Sequence, residues 1–335
     1  MANRPTIHDV AERAGVSKSL VALVFKQESG VSAKRRELVM QAAKELGYTP
    51  NAFASALRSG NNGFIGIVVA DFHNPLFTEF ADLARQAFAA RGIFCFIATA
   101  SISIEDGVER IDPVPIQHML DLKPSSLLIV GGLADHTPFK NISDKLPIVQ
   151  VLSSKGDLKR AVSVRCNEER AMKLVLDHLQ SLGHSNIVYI GPAGERVAED
   201  RRRAYQSQAK KHKIKTHMVS TNISKNEESG LAAGLIALQL NPTALVCFND
   251  NVAFGVQDAL ARKKSKVALT GFDNTFFGNL ERISLTTIDQ NKALIVDKVV
   301  ELLSDAKLFA SLRGEEILIE PNLVVRESTA SLQKR

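Results

Sequence analysis

From residue 64 onward, short apolar runs alternate with amphipathic stretches of helical length, and no other feature of the chain narrows its fold as much. The runs are FIGIVVA (64–70), IFCFIAT (93–99), SLLIVGG (126–132), PIVQVL (147–152), NIVYIG (186–191), ALVCFN (244–249) and KVALTGF (266–272). Each is too short for a buried helix and rich in residues that favour strands. Stretches 74–91, 167–182, 199–212, 225–240 and 251–262 lie between most of them. Strands separated by helices must pair in parallel, with helices on both sheet faces, so an α/β fold is expected, here in two lobes. A chain of 335 residues with 45% hydrophobic content can supply the cores of two or three units.

Residues before 61 follow another rule. Thr6 can cap a helix that carries Ile7, Val10, Ala11 and Ala14 on one side, with Gly15 placed to end it. Ser17 can cap a second helix, with Val21 and Val24 inward and Lys18, Ser19 and Ala22 facing elsewhere. Two short helices joined by a three-residue turn form a helix-turn-helix pattern. A third helix, from about Ser32 to Leu46, can cover the pair with Leu38, Val39, Ala42, Ala43 and Leu46, before Gly47. Residues 50–60 read as a conditional helix or a linker.

Charge separates the same two parts. Nine basic and five acidic residues give the first 60 positions a net +4, whereas the other 275 carry +2. A small basic head on a nearly neutral body suits a polyanion partner.

Other classes find little support. The opening residues lack an apolar stretch behind a basic start, and no segment is long and apolar enough to span a membrane, so a soluble cytoplasmic protein is expected. Cys95, Cys166 and Cys247 have no disulfide or metal-ligand spacing. His178 and His184 read as structural. The basic run 201–215 reads as a solvated helix face apart from Arg201. Gly131-Gly132 is no nucleotide-binding fingerprint, and neither a P-loop nor a nucleophile elbow is present. No cofactor, metal site or catalytic set is expected.

The segments TIHDVAERAGVSKSLVALVFK, VSAKRRELVMQAAKELGYTPN and ALRSG, covering positions 6–60, stand in the order of a known headpiece. Together with IGIVVADFHNPLF (65–77), HLQSLGH (178–184), FNDNVAFG (248–255), TGFDN (270–274), SLTTID (284–289) and LVVREST (323–329), they make the chain resemble the LacI/GalR (lactose-repressor) family of transcription regulators. The resemblance runs through almost the whole sequence. It implies a helix-turn-helix DNA-binding headpiece at 1–49, a hinge helix or linker at 50–61, and a two-lobed, periplasmic-binding-protein-like core with parallel sheets at 62–335. The first lobe is expected at about 62–159 and 290–320, the second at about 160–289 and 321–335.

In such a headpiece the second helix enters a major groove, and Lys18 and Ser19 are placed at base edges. The resemblance puts Thr6, Ser17 and Asn51 on phosphates, and Lys34 and Arg35 suit the same task. Ala22-Leu23 stands where relatives commonly carry Ser-Arg, and Lys26 where Asn is common, so a different operator is expected, with Leu23 limited to apolar contact or packing. Leu57 matches the leucine that wedges into the minor groove, with Arg58 and Asn51 supporting the hinge.

By resemblance, Asn74, Pro75, Arg201, Asn249 and Asp273 line a cleft between the lobes, and Asp250 is a candidate cap for the helix at 251–262. These residue types suit a small polar effector: a sugar, polyol, nucleoside or organic acid. Four departures bear on the cleft. Cys166-Asn167 replaces the usual Asp-Asn, Arg170 replaces a helix glycine, the loop Lys263–Lys266 is shorter than usual, and the stretch around DPVP (112–115) differs.

The expected protein is a repressor that binds double-stranded DNA at a palindromic operator as a homodimer, under effector control. Control by a partner protein or by no ligand is the first rival. A sugar-binding transport protein, and an enzyme using Asp250 and Asp273 as paired acids, are more distant ones.

Overall fold

The computed structural model describes residues 5–25, 30–49, 63–100, 103–105, 108–133, 135–140, 142–194, 196–215, 217–222 and 225–329. They belong to two compact units that divide after Gly63.

The first unit holds α1 (Ile7–Ala14), α2 (Lys18–Phe25) and α3 (Ala33–Leu46). Val10, Ala11, Val21, Val24, Val39, Ala42 and Ala43 form its core, and Phe25 packs on Tyr48 with ring centroids 5.7 Å apart. Gly15 and Gly47 end α1 and α3 at φ 63° and 65°, a left-handed conformation that costs glycine nothing. Ser17 caps α2, its hydroxyl oxygen accepting from the Leu20 amide at 3.2 Å. Arg13 ties α1 to α3 through two bonds to Glu45, of 2.9 and 2.7 Å. Arg36 donates to the Val24 carbonyl at the end of α2, at 3.1 Å. Leu38, expected inward, is 44% exposed. The buried stripe on α3 runs through 39, 42 and 43 at helical spacing, with half-buried Leu46 beyond it, and Leu38 stands one step off it.

The second unit opens with β1 (Ile65–Val69), α4 (Pro75–Ala89), β2 (Cys95–Thr99), β3 (Ser103–Glu105), β4 (Val108–Arg110) and α5 (Pro113–Asp121). There follow β5 (Ser126–Val130), α6 (Thr137–Lys140), β6 (Ile148–Val151) and β7 (Val162–Cys166). Then come α7 (Glu168–Ser181), β8 (Ile187–Gly191), α8 (Arg196–Lys211), β9 (His217–Ser220) and α9 (Glu227–Ala237). Next are β10 (Ala244–Cys247), α10 (Asp250–Arg262), β11 (Ala268–Thr270) and β12 (Thr287–Asp289). The last elements are α11 (Lys292–Ser304), α12 (Ala306–Ser311), β13 (Glu316–Ile319) and β14 (Asn322–Val324).

Two parallel sheets result. One has the order β13-β7-β6-β5-β1-β2 and the other β11-β10-β8-β9. Helices α4 and α11 cover one face of the first sheet through Phe80, Phe88, Ile295 and Val299. In the second lobe α7 and α8 pack Met172, Leu176 and Tyr205 against one face, while α9 and α10 cover the other. Among the described residues, no helix is long and apolar enough to cross a membrane.

The lobe boundary expected near residue 160 falls later. Strand β7, at 162–166, pairs with β6 and β13, so it belongs to the first lobe. Its sequence VSVRC has an arginine within it and no apolar run to announce a strand. The deviating DPVP stretch opens α5, with Asp112 as cap and Pro113 in the first turn, where the missing proline N–H costs nothing.

The chain crosses between lobes three times, at 166–168, 289–292 and 319–322. These crossings are bonded together. The Asn167 amide donates to the Ile319 carbonyl at 2.9 Å, and its side chain donates to Glu320 at 3.0 Å. Asn291, in a left-handed conformation at φ 64°, donates its side-chain amide to the Glu320 carbonyl at 3.4 Å.

Candidate nucleic-acid interface and interlobe cleft

Helix α2 turns Val21 and Val24 into the headpiece core. Lys18 and Ser19 are exposed on its other side, with Ala22 and Leu23 half-buried beside them. Lys34 and Arg35 are exposed at the start of α3. The Thr6 amide and hydroxyl both donate to the Asp9 carboxylate, at 2.7 and 2.8 Å, and the Thr6 amide bond in particular holds Asp9 below the usual carboxylate range. The expected phosphate residues Thr6 and Ser17 therefore also terminate helices, and an N-terminal helix end is itself favourable for an anion. Lys26, Asn51, Leu57 and Arg58 lie outside the described residues.

In the second unit, the C-terminal end of the second sheet brings Arg201, Asn249 and Asp273 together, and all three are already bonded within the protein. Arg201 is 3% exposed. Its Nε and Nη2 bond the two oxygens of Glu168 at 2.8 and 3.0 Å, and Nη1 donates to the Phe248 carbonyl. Its guanidinium carbon lies 3.4 Å from the Phe272 ring centroid and 4.6 Å from that of Phe248. Burial works against the charge, and Glu168 outweighs it. Asn249 caps α10 by accepting from the Val252 amide at 2.8 Å, and donates to the Lys225 carbonyl at 3.2 Å.

Asp250, the expected cap, has a different task. Fully buried, it accepts from the Thr275 amide and hydroxyl at 2.8 and 2.9 Å and from the Thr287 hydroxyl at 2.7 Å. Burial pushes its carboxyl up to about 6. Asp273, at φ 127°, accepts from Gln290 at 2.7 Å, and burial holds its carboxyl well above the ordinary value although Arg201 works the other way. Asn74 and Pro75 stand apart from these in sequence, at the end of β1, where they form the cap and first residue of α4.

Glu168 was not legible as a cleft residue. Its signal is indirect: the usual Asp-Asn has become Cys166-Asn167, and a carboxylate appears at the next position. Burial raises the Cys166 thiol well above its ordinary value, which makes it inert.

Two further groups join the lobes. Asp200 on α8 accepts from the Ser154 hydroxyl at 2.7 Å and lies 3.3 Å from Arg165 of β7. Glu79 on α4 accepts from the Phe276 amide at 2.9 Å and from Lys292 at 2.7 Å. A cavity of about 600 Å³ adjoins Asp200, lined also by Lys155, Arg165, Arg196 and Glu316.

The expected structural roles of the basic run are also visible. Arg202 and Arg203 bond Glu199, and Gln208 bonds Glu169. His212 bonds Asp177 at 2.7 Å, and His178 bonds Thr329 at 2.9 Å. Among the described residues, no three His, Cys, Asp or Glu side chains are placed to hold a metal.

A helical headpiece with a helix-turn-helix, followed by two parallel-sheet lobes joined by three crossings, defines a class of DNA-binding sensor proteins. Residues 6–51 match the family described as bacterial regulatory proteins, lacI family, and residues 176–329 match the periplasmic binding protein-like domain. The regulator DegA of Bacillus subtilis (strain 168) is 28% identical, over 98% of this chain and 99% of its own. The maltose regulon regulatory protein MalI of Escherichia coli (strain K12) is 28% identical over 82% and 80%. A ribose operon repressor of Halalkalibacterium halodurans is 27% identical over 97% of each chain. In structure, the lac repressor dimer bound to operator and the anti-inducer ONPF superposes with a TM-score of 0.80 at 24% identity, covering 98% of this chain and 100% of that one. A LacI-family regulator of Enterococcus faecium with bound ribose gives 0.68 at 20% identity, over 80% of this chain and 99% of that one. The chain thus carries a lacI-family helix-turn-helix domain followed by a periplasmic binding protein-like domain, and its relatives over nearly the full length are regulators of that kind.

Proposed function

We propose that the chain is a transcriptional repressor, acting in the cytoplasm, that binds a palindromic operator as a homodimer and is controlled by a small polar ligand between its lobes. The observation that carries this reading is a capped recognition helix with Lys18 and Ser19 outward, on a headpiece joined to a two-lobed body. One headpiece offers few base contacts, and a two-fold dimer doubles them. Exposed Phe276 and Phe277, whose ring centroids lie 3.9 Å apart, and Leu280 in the same stretch suit a self-complementary interface. Thr6, Ser17, Lys34, Arg35 and Asn51 take phosphates, and Leu57 wedges into the minor groove with support from Arg58. Lys26 contributes charge rather than a directed hydrogen bond.

The ligand we infer is a hydrogen-bond donor without negative charge. Three of the five N–H donors of Arg201 are spent on Glu168 and Phe248, and its charge is neutralised by the buried Glu168, so an organic acid would meet Asp273 without an uncompensated positive charge to offset it. Relatives named for ribose and maltose systems, and a neighbour that holds ribose, support a polyhydroxylated compound. Binding is favoured over catalysis because Asp250 and Asp273 are both engaged in holding loops.

Selection of genomic fragments by the full chain tests the first part: enrichment of a two-fold symmetric sequence is expected, and no enrichment over random DNA overturns it. Thermal unfolding against sugars, polyols, nucleosides and organic acids tests the second. A ligand at 100 times its dissociation constant adds about 2.7 kcal/mol. Hits confined to organic acids would refute the ligand class, and no hit in any class would favour control by a partner protein.

A further inference from the structure

The outward face of α2 is chemically divided. At about 100° per residue, Lys18, Ser19, Ala22 and Leu23 occupy one continuous sector, opposite the Val21 and Val24 side that enters the core. Polar groups stand only at the N-terminal end of this sector, on Lys18 and Ser19. Its middle presents the methyl groups of Ala22 and Leu23, both half-buried rather than sealed away. Neither side chain can donate or accept a hydrogen bond. An apolar patch such as this could meet a protein, but its surroundings are basic. Lys18, Lys34 and Arg35 are exposed, and the first 60 residues carry a net +4. Charge complementarity therefore selects duplex DNA as the occupant.

A major groove displays one apolar group, the C5-methyl of thymine. We propose that Ala22 and Leu23 read thymine methyl groups, so that T·A pairs at the centre of each half-site carry much of this protein's sequence preference, flanked by a polar contact from Lys18. The proposal rests on the reading of the chain as a DNA-binding regulator and adds the chemistry of the bases it recognises. Leu23 is the larger contributor, because its branched end reaches farther than the Ala22 methyl and covers more area. Ser17 plays no part in base reading: its hydroxyl oxygen holds the Leu20 amide.

The test uses the full chain and the operator it selects. Each thymine of one synthetic duplex is replaced in turn, and symmetrically, by deoxyuridine, which pairs identically and lacks only the methyl. Affinity is expected to fall about fourfold per contacted methyl, the effect of removing one buried carbon, at one or two positions per half-site. Leu23→Ala should bind the thymine and uracil duplexes alike at one of those positions. Leu23→Arg should move the preference there from thymine to guanine.

Uracil tolerated at every position within about twofold, with sequence selection intact, overturns the proposal. So does a half-site lacking thymine under α2. Selection of no sequence at all removes the DNA-binding reading and the proposal with it. If Leu23→Ala fails to fold, the uracil scan on the unaltered protein still decides.

Discussion

Glu168 and Arg201 hold each other in a place where neither could stand alone. Removing one partner of a buried ion pair leaves an uncompensated charge and costs about 3–5 kcal/mol, whereas replacing both by apolar residues of similar volume is often tolerated. Glu168→Leu and Arg201→Met should each lower the urea midpoint sharply, and the double variant should recover much of the loss. Asp250 makes a prediction in pH. Its carboxyl titrates at about 6 in the fold against an ordinary 3.8, so the folded state binds this proton more tightly than the unfolded chain does. The contribution of Asp250 to stability is therefore greatest below the ordinary value and declines as pH rises from about 4 through about 6. Wild-type stability measured relative to Asp250→Asn should fall across that window and level off above it. A flat difference would show that the buried carboxyl does not titrate there. Neither pairing was legible in the sequence. Arg201 and Glu168 are 33 residues apart and Asp250 and Thr287 are 37 apart, separations that no local period encodes.

Helices α9 and α10 touch backbone to backbone. A Cβ on Gly255 would come 1.9 Å from the Glu227 carbonyl oxygen, and one on Gly230 would come 2.3 Å from that of Val252. Gly255→Ala should force the helices apart and cost about 1–3 kcal/mol or more, read as a lower urea midpoint with an unchanged slope. The recurrence of strands and helices was readable because apolar period and glycine stops are local properties. All three headpiece helices fall within a residue or two of their expected bounds for that reason. Strands β7, β9 and β13 were missed: four or five residues with arginine, histidine or glutamate among them do not resemble buried strands until their neighbours are known. Asn249 was recognised as important, but the sequence could not separate capping α10 from meeting a ligand, since one amide chemistry serves both.

At the scale of the whole sensor, Asp200 is one of the residues through which one lobe grips the other, beside Glu79. Asp200→Ala removes the bond from Ser154 and the ion pair with Arg165. A charge-assisted hydrogen bond contributes about 1.5 kcal/mol or more, so the fraction of molecules with lobes closed should fall. Apparent ligand affinity should drop about tenfold by calorimetry, with a larger radius of gyration in solution. Unchanged affinity would show that closure does not depend on this contact. The three crossings carry a consequence for how the protein is made. The first lobe lacks its edge strand until β13 is available to pair with β7, and the second lacks the partner of β12 until β14 follows. During synthesis the headpiece core, closed by residue 48, can therefore fold while the ribosome is still far from either point, and both lobes must wait for nearly the last residues. A ribosome stalled near position 300 would hold out a folded DNA-binding unit with an unfinished sensor, the ability to grip DNA preceding the means of controlling it.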